Sequence, residues 1–288
     1  MDAIKNKIIH GNTLDVLNNL PSDIFDCGVT SPPYNKQEKN NGWLVKNVVY
    51  DKFKDVMSED EYQENQINVL NELYRTTKDG GHFFYNHKIR WDKGKLSHPM
   101  EWISKTKWNI RQEIIWDRAI AANIRGWRFW QVEERIYWLC KPVGSNLIGE
   151  ELKSHHALMT SIWRFSPEQK SEHPAPFPMA LPTRCIYSVL NDKKECLVID
   201  PYAGSGTTLV SSKMLGHNFF GIDISEDYIS LAKQRIKNIT MKDKKNFDDE
   251  IVKHKVTKTF KDRKEEGLYA KRLSPEPILI DLFNQSAI

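Results

Sequence analysis

The chain of 288 residues is long enough to form one large α/β domain with a substantial core and some appended structure. Its formal net charge of +4 suits a polyanionic partner but does not establish one. The four cysteines lack the spacing of metal ligands and no long apolar run occurs, which argues against a zinc site, a disulfide framework and a membrane span, and predicts a cytoplasmic protein.

The first half of the chain contains several short apolar runs that are typical of strands. The first, at residues 24–30, ends before Pro32 because proline cannot donate a hydrogen bond to a sheet. A capping box formed by Ser58 and Glu61 predicts a helix that ends before Gly80. Further strands are expected at residues 82–85, 113–116 and 135–139.

Three segments of this half lack the periodicity of helices and strands. Residues 35–55 are polar and interrupted by glycine, so we expect a loop. Residues 118–130 interleave arginine with tryptophan, which suits either a DNA-contacting surface or a loop that faces the core. Residues 142–172 mix basic, aromatic and histidine side chains, and we expect them to form an insert that recognises the target sequence.

In the second half, predicted helices and strands alternate. They are a helix at 180–190, a strand at 196–199, a helix at 205–215, a strand at 219–223 and a helix at 226–239. This order predicts a mostly parallel sheet with helices on both faces. After residue 240 the composition turns to lysine and acidic residues, so we expect a catalytic domain at 1–240 and a charged extension at 241–288.

A glycine-containing loop follows the strand at 196–199. It consists of Asp200, Pro201, Tyr202, Ala203, Gly204, Ser205, Gly206 and Thr207. Its glycines let the backbone approach a ligand, and the helix that follows offers N–H groups. Asp200 can meet an ammonium group, and Asp223, at the end of the next strand, can accept hydrogen bonds from ribose hydroxyls. S-adenosylmethionine carries both groups and no phosphate, so it suits this loop.

Two competing ligands fit the loop less well. A dinucleotide fingerprint requires a third glycine where Leu209 stands, and a phosphate-binding P-loop requires a Gly-Lys-Ser/Thr sequence that the loop lacks. An ordinary turn of small residues is the remaining alternative. The two acidic residues that frame the loop favour a cofactor site over that alternative.

The strand at 24–30 leads into a Ser-Pro-Pro-Tyr motif, which consists of Ser31, Pro32, Pro33 and Tyr34. The exocyclic amine of cytosine or adenine is a weak nucleophile, because its lone pair is delocalised into the ring. Acceptors for its two hydrogens favour attack on a methyl group, and the Ser31 hydroxyl and Pro32 carbonyl can serve as these acceptors. Tyr34 can stack on a base flipped out of the duplex. Alone, the motif could equally be a strand cap.

Together these features resemble the β class of DNA amino-methyltransferases of restriction-modification type, in which the catalytic motif precedes the cofactor loop. The similarity covers residues 8–240 and includes the segments at 11–12, 173–178 and 221–223. It implies a Rossmann-like, S-adenosylmethionine-dependent methyltransferase fold in circularly permuted order, with a small target-recognition region. It also implies that residues 31–34 are catalytic and that residues 200–207 and Asp223 bind the cofactor. His173 and Phe177 would line the cofactor's far side.

The resemblance also bears on the target base. Serine at position 31 is more typical of cytosine-N4 enzymes of this class, whereas adenine-N6 enzymes commonly carry aspartate there. The His-Pro-Ala-Pro-Phe-Pro sequence at 173–178 leans the same way. We therefore favour transfer to N4 of cytosine in double-stranded DNA, with N6 of adenine as the alternative. Asn12 departs from the family, which usually carries an acid there near the cofactor adenine.

Two other functional classes are disfavoured. RNA and protein methyltransferases with a related motif usually carry it after the cofactor loop, which is the reverse of the order here. A DNA-binding module without catalysis would not require the cofactor loop. The sequence leaves open the recognition site, a partner restriction endonuclease, and whether the chain acts as a monomer or a homodimer.

Overall fold

The computed structural model describes residues 3–35, 57–121, 126–145, 160–167, 177–191, 193–254 and 264–267. Residues 1–254 form one compact unit. Residues 255–288 form a second unit, in which the described residues make a turn closed by a hydrogen bond from the Gly267 amide to the Lys264 carbonyl. Across the described ranges, the helices are too short or too polar to cross a membrane.

The described residues form ten strands and seven helices. The strands are β1 (Lys7–His10), β2 (Phe25–Thr30), β3 (Thr77–His87), β4 (Arg90–Asp92), β5 (Lys95–Ser97), β6 (Asn109–Asp117), β7 (Glu133–Cys140), β8 (Ile162–Arg164), β9 (Leu197–Asp200) and β10 (Asn218–Asp223). The helices are α1 (Thr13–Asn18), α2 (Glu59–Thr76), α3 (Met100–Ile103), α4 (Ala180–Leu190), α5 (Thr207–Met214), α6 (Glu226–Lys237) and α7 (Met241–His254).

Eight strands form one sheet in the order β1-β10-β9-β2-β3-β7-β6-β8. The first five are parallel to one another, β7 runs antiparallel to both β3 and β6, and β8 pairs in parallel with β6. Strands β4 and β5 form a separate antiparallel hairpin. The predicted mostly parallel α/β sheet is confirmed.

Hydrophobic clusters cover both faces of the sheet, because successive side chains of a strand point to opposite faces. In β3, Phe83 and Tyr85 belong to a cluster that also holds side chains of α1, α2 and α3. Phe84, between them, belongs to a second cluster, with side chains of α4. A third cluster joins α5 and α6 to β10. The predicted helices on both faces are therefore present.

The sequence had indicated that the glycine pair at 80–81 separates α2 from the next strand, and the structure shows that it does not. Strand β3 begins at Thr77, directly after α2, and contains both glycines. Gly80 has a positive φ of 74°. A Cβ on Gly81 would lie 2.5 Å from the Thr77 side chain. The glycines thus permit an irregular, crowded stretch inside a strand.

The compact unit extends beyond the predicted boundary at residue 240. The next 14 residues form α7, and the unit ends at His254. Arg184 of α4 donates to both carboxylate oxygens of the buried Glu250, at 2.6 and 3.0 Å. Although burial opposes ionisation, hydrogen bonds from His254 and Arg184 lower the pKa of Glu250 to about 2. One buried ion pair therefore anchors a helix whose charged composition had suggested a solvated extension.

Part of the predicted recognition insert belongs to the scaffold. Strand β8 is the edge strand of the sheet, and the buried Trp163 packs 4.9 Å below the Arg184 guanidinium. Residues 146–159 and 168–172 of the insert lie outside the described residues, as do residues 36–55 of the predicted loop.

Candidate active site

Strands β2 and β9 are neighbours at the centre of the sheet. The chain continues from β2 to β3 on one side and from β9 to β10 on the other, which is the arrangement that opens a crevice at the carboxyl ends of parallel strands. Thr30 Oγ1, at the end of β2, donates to Asp200 Oδ1, at the end of β9, at 2.7 Å. This bond joins residues 170 positions apart and places the Ser-Pro-Pro-Tyr motif beside the glycine loop.

The glycine loop is fixed by backbone conformations that favour glycine. Gly204 and Gly206 have positive φ angles of 49° and 78°. A Cβ on Gly206 would lie 2.9 Å from the Ala232 Cβ, so a larger residue would push α6 away. The Gly204 amide donates to Asp223 Oδ2 at 2.8 Å, which ties the loop to the end of β10.

Asp200 is fully buried, and one of its two carboxylate oxygens is available to a ligand. Oδ1 accepts hydrogen bonds from Thr30 Oγ1 and from the Tyr202 amide, at 2.7 and 3.1 Å. Oδ2 is buried and lacks a well-formed hydrogen bond from the described residues; the Thr208 hydroxyl interacts with the carboxylate and lowers its pKa, but its hydrogen bond of good geometry is to the Val29 carbonyl at 3.4 Å. Burial raises the pKa of Asp200 to about 6. A buried, unsatisfied carboxylate oxygen suits a cationic partner.

Asp223 offers the second acidic group of the loop. Its Oδ2 accepts from the Gly204 amide at 2.8 Å and its Oδ1 from the Ser225 amide at 2.9 Å. Burial raises the pKa of this carboxyl group, and the backbone hydrogen bonds oppose the rise. Each carboxylate oxygen has capacity for a further hydrogen bond, as two vicinal hydroxyls would require.

The motif side of the crevice contains a buried polar cluster. Ser31 Oγ lies 2.6 Å from Tyr34 Oη, and Tyr34 Oη donates to Glu134 Oε2 at 3.0 Å. The Asn86 amide nitrogen lies 3.3, 2.9 and 2.8 Å from these three oxygens, respectively. Arg118 Nη1 completes the cluster with an ion pair to Glu134 Oε1 at 3.1 Å. We call these five residues the Ser31 network.

Tyr34 and the prolines are held by α2 and β3. The Tyr34 ring packs 4.5 Å from the His87 ring. Tyr62 Oη lies 2.8 Å from the Pro33 carbonyl oxygen and 2.7 Å from His87 Nε2, so α2 supports both the motif and the histidine behind it. One side of the Tyr34 ring is thus covered by protein.

The sequence interpretation missed Asn86, Glu134 and Arg118. Asn86 follows the predicted strand at 82–85, and a polar residue at the carboxyl end of a parallel strand is a signal for a site. Glu134 could be placed there only once β7 was known to run antiparallel to β3, since that direction brings the start of β7 to the same edge of the sheet.

The family resemblance singled out three more residues, His173 and Phe177 as cofactor-lining residues and Asn12 as a departure from the family pattern. His173 lies outside the described residues. Phe177 is half-buried and packs against the cluster that covers the α4 face of the sheet. Asn12 caps α1, where its Oδ1 accepts from the Leu14 amide at 2.9 Å. This cap gives Asn12 a structural role at the place where related enzymes usually carry an acid.

An exposed aromatic surface precedes β7, the strand that carries Glu134. Trp127, Phe129 and Trp130 are 59%, 98% and 62% exposed, and we call these three residues the aromatic patch. The Arg128 guanidinium stacks 3.9 Å from the Trp91 ring, which in turn meets the Trp127 ring edge-on at 6.2 Å. Trp127 and Trp130 are therefore not core residues, and contact of this surface with DNA stays a prediction.

The aromatic patch is connected to the Ser31 network through the loop that precedes β7. The side-chain amide of Gln131 donates to the Ile89 carbonyl at 3.1 Å, and Arg118 Nη2 donates to the Gln131 carbonyl at 3.5 Å. Lys88, beside Ile89, places its ammonium group 5.9 Å from the centre of the Tyr34 ring. A chain of hydrogen bonds therefore links the loop that carries the aromatic patch to the Ser31 network.

Comparisons with known proteins agree with this arrangement. M.ScaI of Streptomyces caespitosus, a type II methyltransferase, is 25% identical over 273 residues, which are 80% of this chain and 81% of the relative. The solved PvuII DNA methyltransferase, described as cytosine-N4-specific, superposes with a TM-score of 0.65 at 16% identity, over 87% of this chain and 94% of its own. A protein of Thermus thermophilus described as a putative DNA modification methylase, solved in complex with S-adenosyl-L-methionine, superposes with a TM-score of 0.58 at 21% identity, over 80% of this chain and 93% of its own.

The family model described as DNA methylase, which unites N6- and N4-specific enzymes, matches residues 25–234. That range begins at β2, includes both halves of the crevice and ends within α6. The chain belongs to this family of DNA amino-methyltransferases.

Proposed function

We propose that this protein transfers a methyl group from S-adenosylmethionine to N4 of cytosine in double-stranded DNA, at a specific sequence and within a restriction-modification system. The observation that carries the proposal is the hydrogen bond between Thr30 and Asp200, which joins the start of the Ser-Pro-Pro-Tyr motif to the start of the acid-framed glycine loop. A partner endonuclease of the same specificity, and action in the cytoplasm where the DNA lies, belong to the proposal.

The cofactor site is formed by residues 200–207 and Asp223, with His173 and Phe177 proposed at its far side. Asp200 Oδ2 would receive the ammonium group of the methionine moiety, which supplies the hydrogen bonds that this buried oxygen otherwise lacks. Asp223 would accept hydrogen bonds from the ribose hydroxyls. When bound, S-adenosylmethionine supplies an electrophilic methyl group on a sulfonium centre.

The catalytic residues are Ser31 to Tyr34. The Ser31 hydroxyl and the Pro32 carbonyl accept the two hydrogens of the target amine, which favours the pyramidal nitrogen that attacks the methyl carbon. The prolines fix the backbone before the substrate arrives, so little reorganisation is needed. Tyr34 would stack on the flipped base.

Two observations favour cytosine over adenine. The first catalytic residue is serine, which neither carries a charge nor matches the aspartate common in adenine-N6 enzymes. The solved PvuII enzyme, whose fold matches over most of both chains, is described as cytosine-N4-specific. Both bases present an exocyclic amine, so the choice depends on the shape of the pocket around it.

A transfer assay tests the proposal. Purified protein is incubated with unmethylated duplex DNA and S-adenosylmethionine labelled on the methyl group. We expect label in the DNA, and we expect none when the DNA is replaced by RNA or by a protein extract. Label in RNA or protein alone would reject a DNA methyltransferase, and cofactor binding without transfer to any acceptor would reject catalysis by Ser31.

The aromatic patch is proposed to contact DNA beside the flipped base. Stacking of a base on an aromatic ring contributes about 1–3 kcal/mol, so the double change of Trp127 and Trp130 to alanine should weaken DNA binding at least about tenfold. Fluorescence anisotropy with a labelled duplex measures this. Cofactor affinity should not change, and Met241→Ala, which removes another exposed apolar side chain, should leave DNA affinity intact. Equal DNA affinity in all three proteins would place the interface elsewhere.

Sequence recognition is proposed to lie in residues 142–172. Because β8 is part of the scaffold, the exchange should leave residues 160–167 in place and replace residues 146–159 with the equivalent segment of a relative of different specificity. We expect the methylated sequence to change, as read by single-molecule sequencing of DNA from a methylation-free host. An unchanged methylated sequence would contradict this assignment and point to residues 35–55 or to the aromatic patch.

A further inference from the structure

The Ser31 network carries one inference beyond the proposed function, on which it depends. Methyl transfer to an amine leaves a positive charge on the nitrogen, which must then lose a proton. We propose that this proton leaves through Ser31 and Tyr34 to the Glu134 carboxylate, so that Glu134 is the proton acceptor of the reaction and Asn86 positions the path.

The number of available hydrogens gives the path a direction. An ionised carboxylate accepts hydrogen bonds only, and a tyrosine hydroxyl has one hydrogen to donate. Arg118 forms the ion pair with Glu134 Oε1, and Tyr34 Oη lies 3.0 Å from Glu134 Oε2. A hydrogen bond to a charged acceptor is stronger than one between two hydroxyls, so the Tyr34 hydrogen points to Glu134.

The orientation of Tyr34 then determines that of Ser31. The Tyr34 oxygen accepts the Ser31 hydrogen across their 2.6 Å contact. The Ser31 oxygen consequently presents lone pairs, which is the orientation required to accept a hydrogen from the target amine. Asn86 faces the three oxygens with its amide nitrogen, whose two hydrogens they share, so it positions Ser31, Tyr34 and Glu134 as a donor and does not reverse the direction.

The proposed step balances. The amine nitrogen forms a bond to the methyl carbon while the sulfur–methyl bond breaks and the sulfur keeps the electron pair. The methylated nitrogen then gives a proton to Ser31 Oγ, the Ser31 hydrogen passes to Tyr34 Oη, and the Tyr34 hydrogen passes to Glu134 Oε2. Each hydroxyl ends with one hydrogen, and Glu134 ends as a carboxylic acid that solvent later deprotonates.

Two nearly isosteric changes interrupt the path at different places. In Glu134→Gln, the Arg118 guanidinium only donates hydrogen bonds, so it favours a Gln orientation with the amide oxygen toward Arg118 and the amide NH₂ group toward Tyr34 as a donor. The direction of the chain then reverses, and the Ser31 hydrogen points at the target amine. In Tyr34→Phe, the ring and its contact with His87 remain while the hydroxyl is lost.

The test compares single-turnover methyl transfer at saturating cofactor and DNA in wild type, both variants and the double variant. Positioned proton transfer contributes about 10²–10⁴-fold, so each variant should be at least about 100-fold slower. Because both act on one path, the double variant should be no slower than the slower single variant. Dissociation constants for S-adenosylmethionine and DNA should stay within about twofold of wild type, which excludes a merely structural loss. Glu133→Gln, the same change at the neighbouring position, should transfer at the wild-type rate.

The outcomes separate this inference from the function on which it rests. A wild-type rate in Glu134→Gln, or multiplied effects in the double variant, would overturn the proton path while leaving the methyltransferase intact. A wild-type rate in Ser31→Ala would remove the proposed catalytic motif itself. If Glu134→Gln strongly lowers the thermal stability, the transfer rate of Tyr34→Phe tests the proton path instead. That variant must then transfer at least about 100-fold more slowly than wild type while its DNA affinity is intact.

Discussion

Replacing Asp200 with asparagine is expected to remove most of the affinity for S-adenosylmethionine. The change keeps an oxygen for Thr30 and for the Tyr202 amide, but it replaces the charged partner of the ammonium group. A lost charge-assisted hydrogen bond costs about 1.5–3 kcal/mol, which corresponds to a roughly 10- to 150-fold higher dissociation constant. Isothermal titration calorimetry measures the dissociation constant for S-adenosylmethionine directly. Asp15→Asn, on the exposed face of α1, is the matched control and should bind like wild type.

The same carboxyl group should make cofactor binding depend on pH. Because burial raises the pKa of Asp200 to about 6, the group takes up a proton as the pH falls through that value. Cofactor affinity should therefore fall, by up to about tenfold per pH unit below 6, and Asp200→Asn should bind with a weaker pH dependence.

In the ligand-free protein, the raised pKa of Asp200 makes the free energy of unfolding larger at low pH than at neutral pH. Its contribution to the free energy of unfolding is complete below about pH 4 and is lost as the pH rises through about 6.

Unchanged cofactor affinity in Asp200→Asn would show that the buried carboxylate does not receive the ammonium group. An affinity that falls at low pH to the same extent in wild type and variant would assign the pH dependence to another group, of which Asp223 is the first candidate, since burial raises its pKa as well.

Replacing Ser31 with alanine is expected to slow methyl transfer by about 10²–10³-fold, the usual effect of deleting one preorganised polar group that acts in the transition state. Cofactor and DNA affinities should change little, because the lost interaction strengthens only as the nitrogen becomes pyramidal. The measurement is the single-turnover rate with saturating substrates. Ser104→Ala, which removes an exposed hydroxyl at the end of α3, is the control.

A different pattern would contradict this role for Ser31. If Ser31→Ala raised the Michaelis constant for DNA and left the turnover rate unchanged, the hydroxyl would contribute uniform binding and not transition-state stabilisation. An unaltered rate and affinity would leave only the structural role of closing the strand.

The two halves of the site could be predicted from the sequence because each is a local pattern. Ser31 follows an apolar run that proline ends, and Asp200 and Asp223 each end a strand that a helix follows. Local patterns of this kind report the carboxyl ends of strands, which is where an α/β sheet forms its binding crevice. The meeting of Thr30 with Asp200 then depends on strand order, which the structure supplied.

The supporting residues could not be predicted, for a different physical reason. Glu134 stands in a charged stretch, Glu-Glu-Arg, that is typical of an exposed strand end. Its burial depends on the antiparallel direction of β7 and on Arg118, which balances its charge. Glu250 is a similar case in α7, where one acid among many is buried by its pairing with Arg184. Composition describes the average residue of such a segment and not the single residue that turns inward.

The most direct measurement is the chemical identity of the methylated nucleoside. Duplex DNA is methylated by the purified protein with S-adenosylmethionine, digested to nucleosides and analysed by mass spectrometry against standards. We predict N4-methylcytosine, with the product absent from the Ser31→Ala reaction over the same time. N6-methyladenine as the sole product would contradict cytosine as the target base, and unmodified DNA with intact cofactor binding would contradict amine methylation altogether.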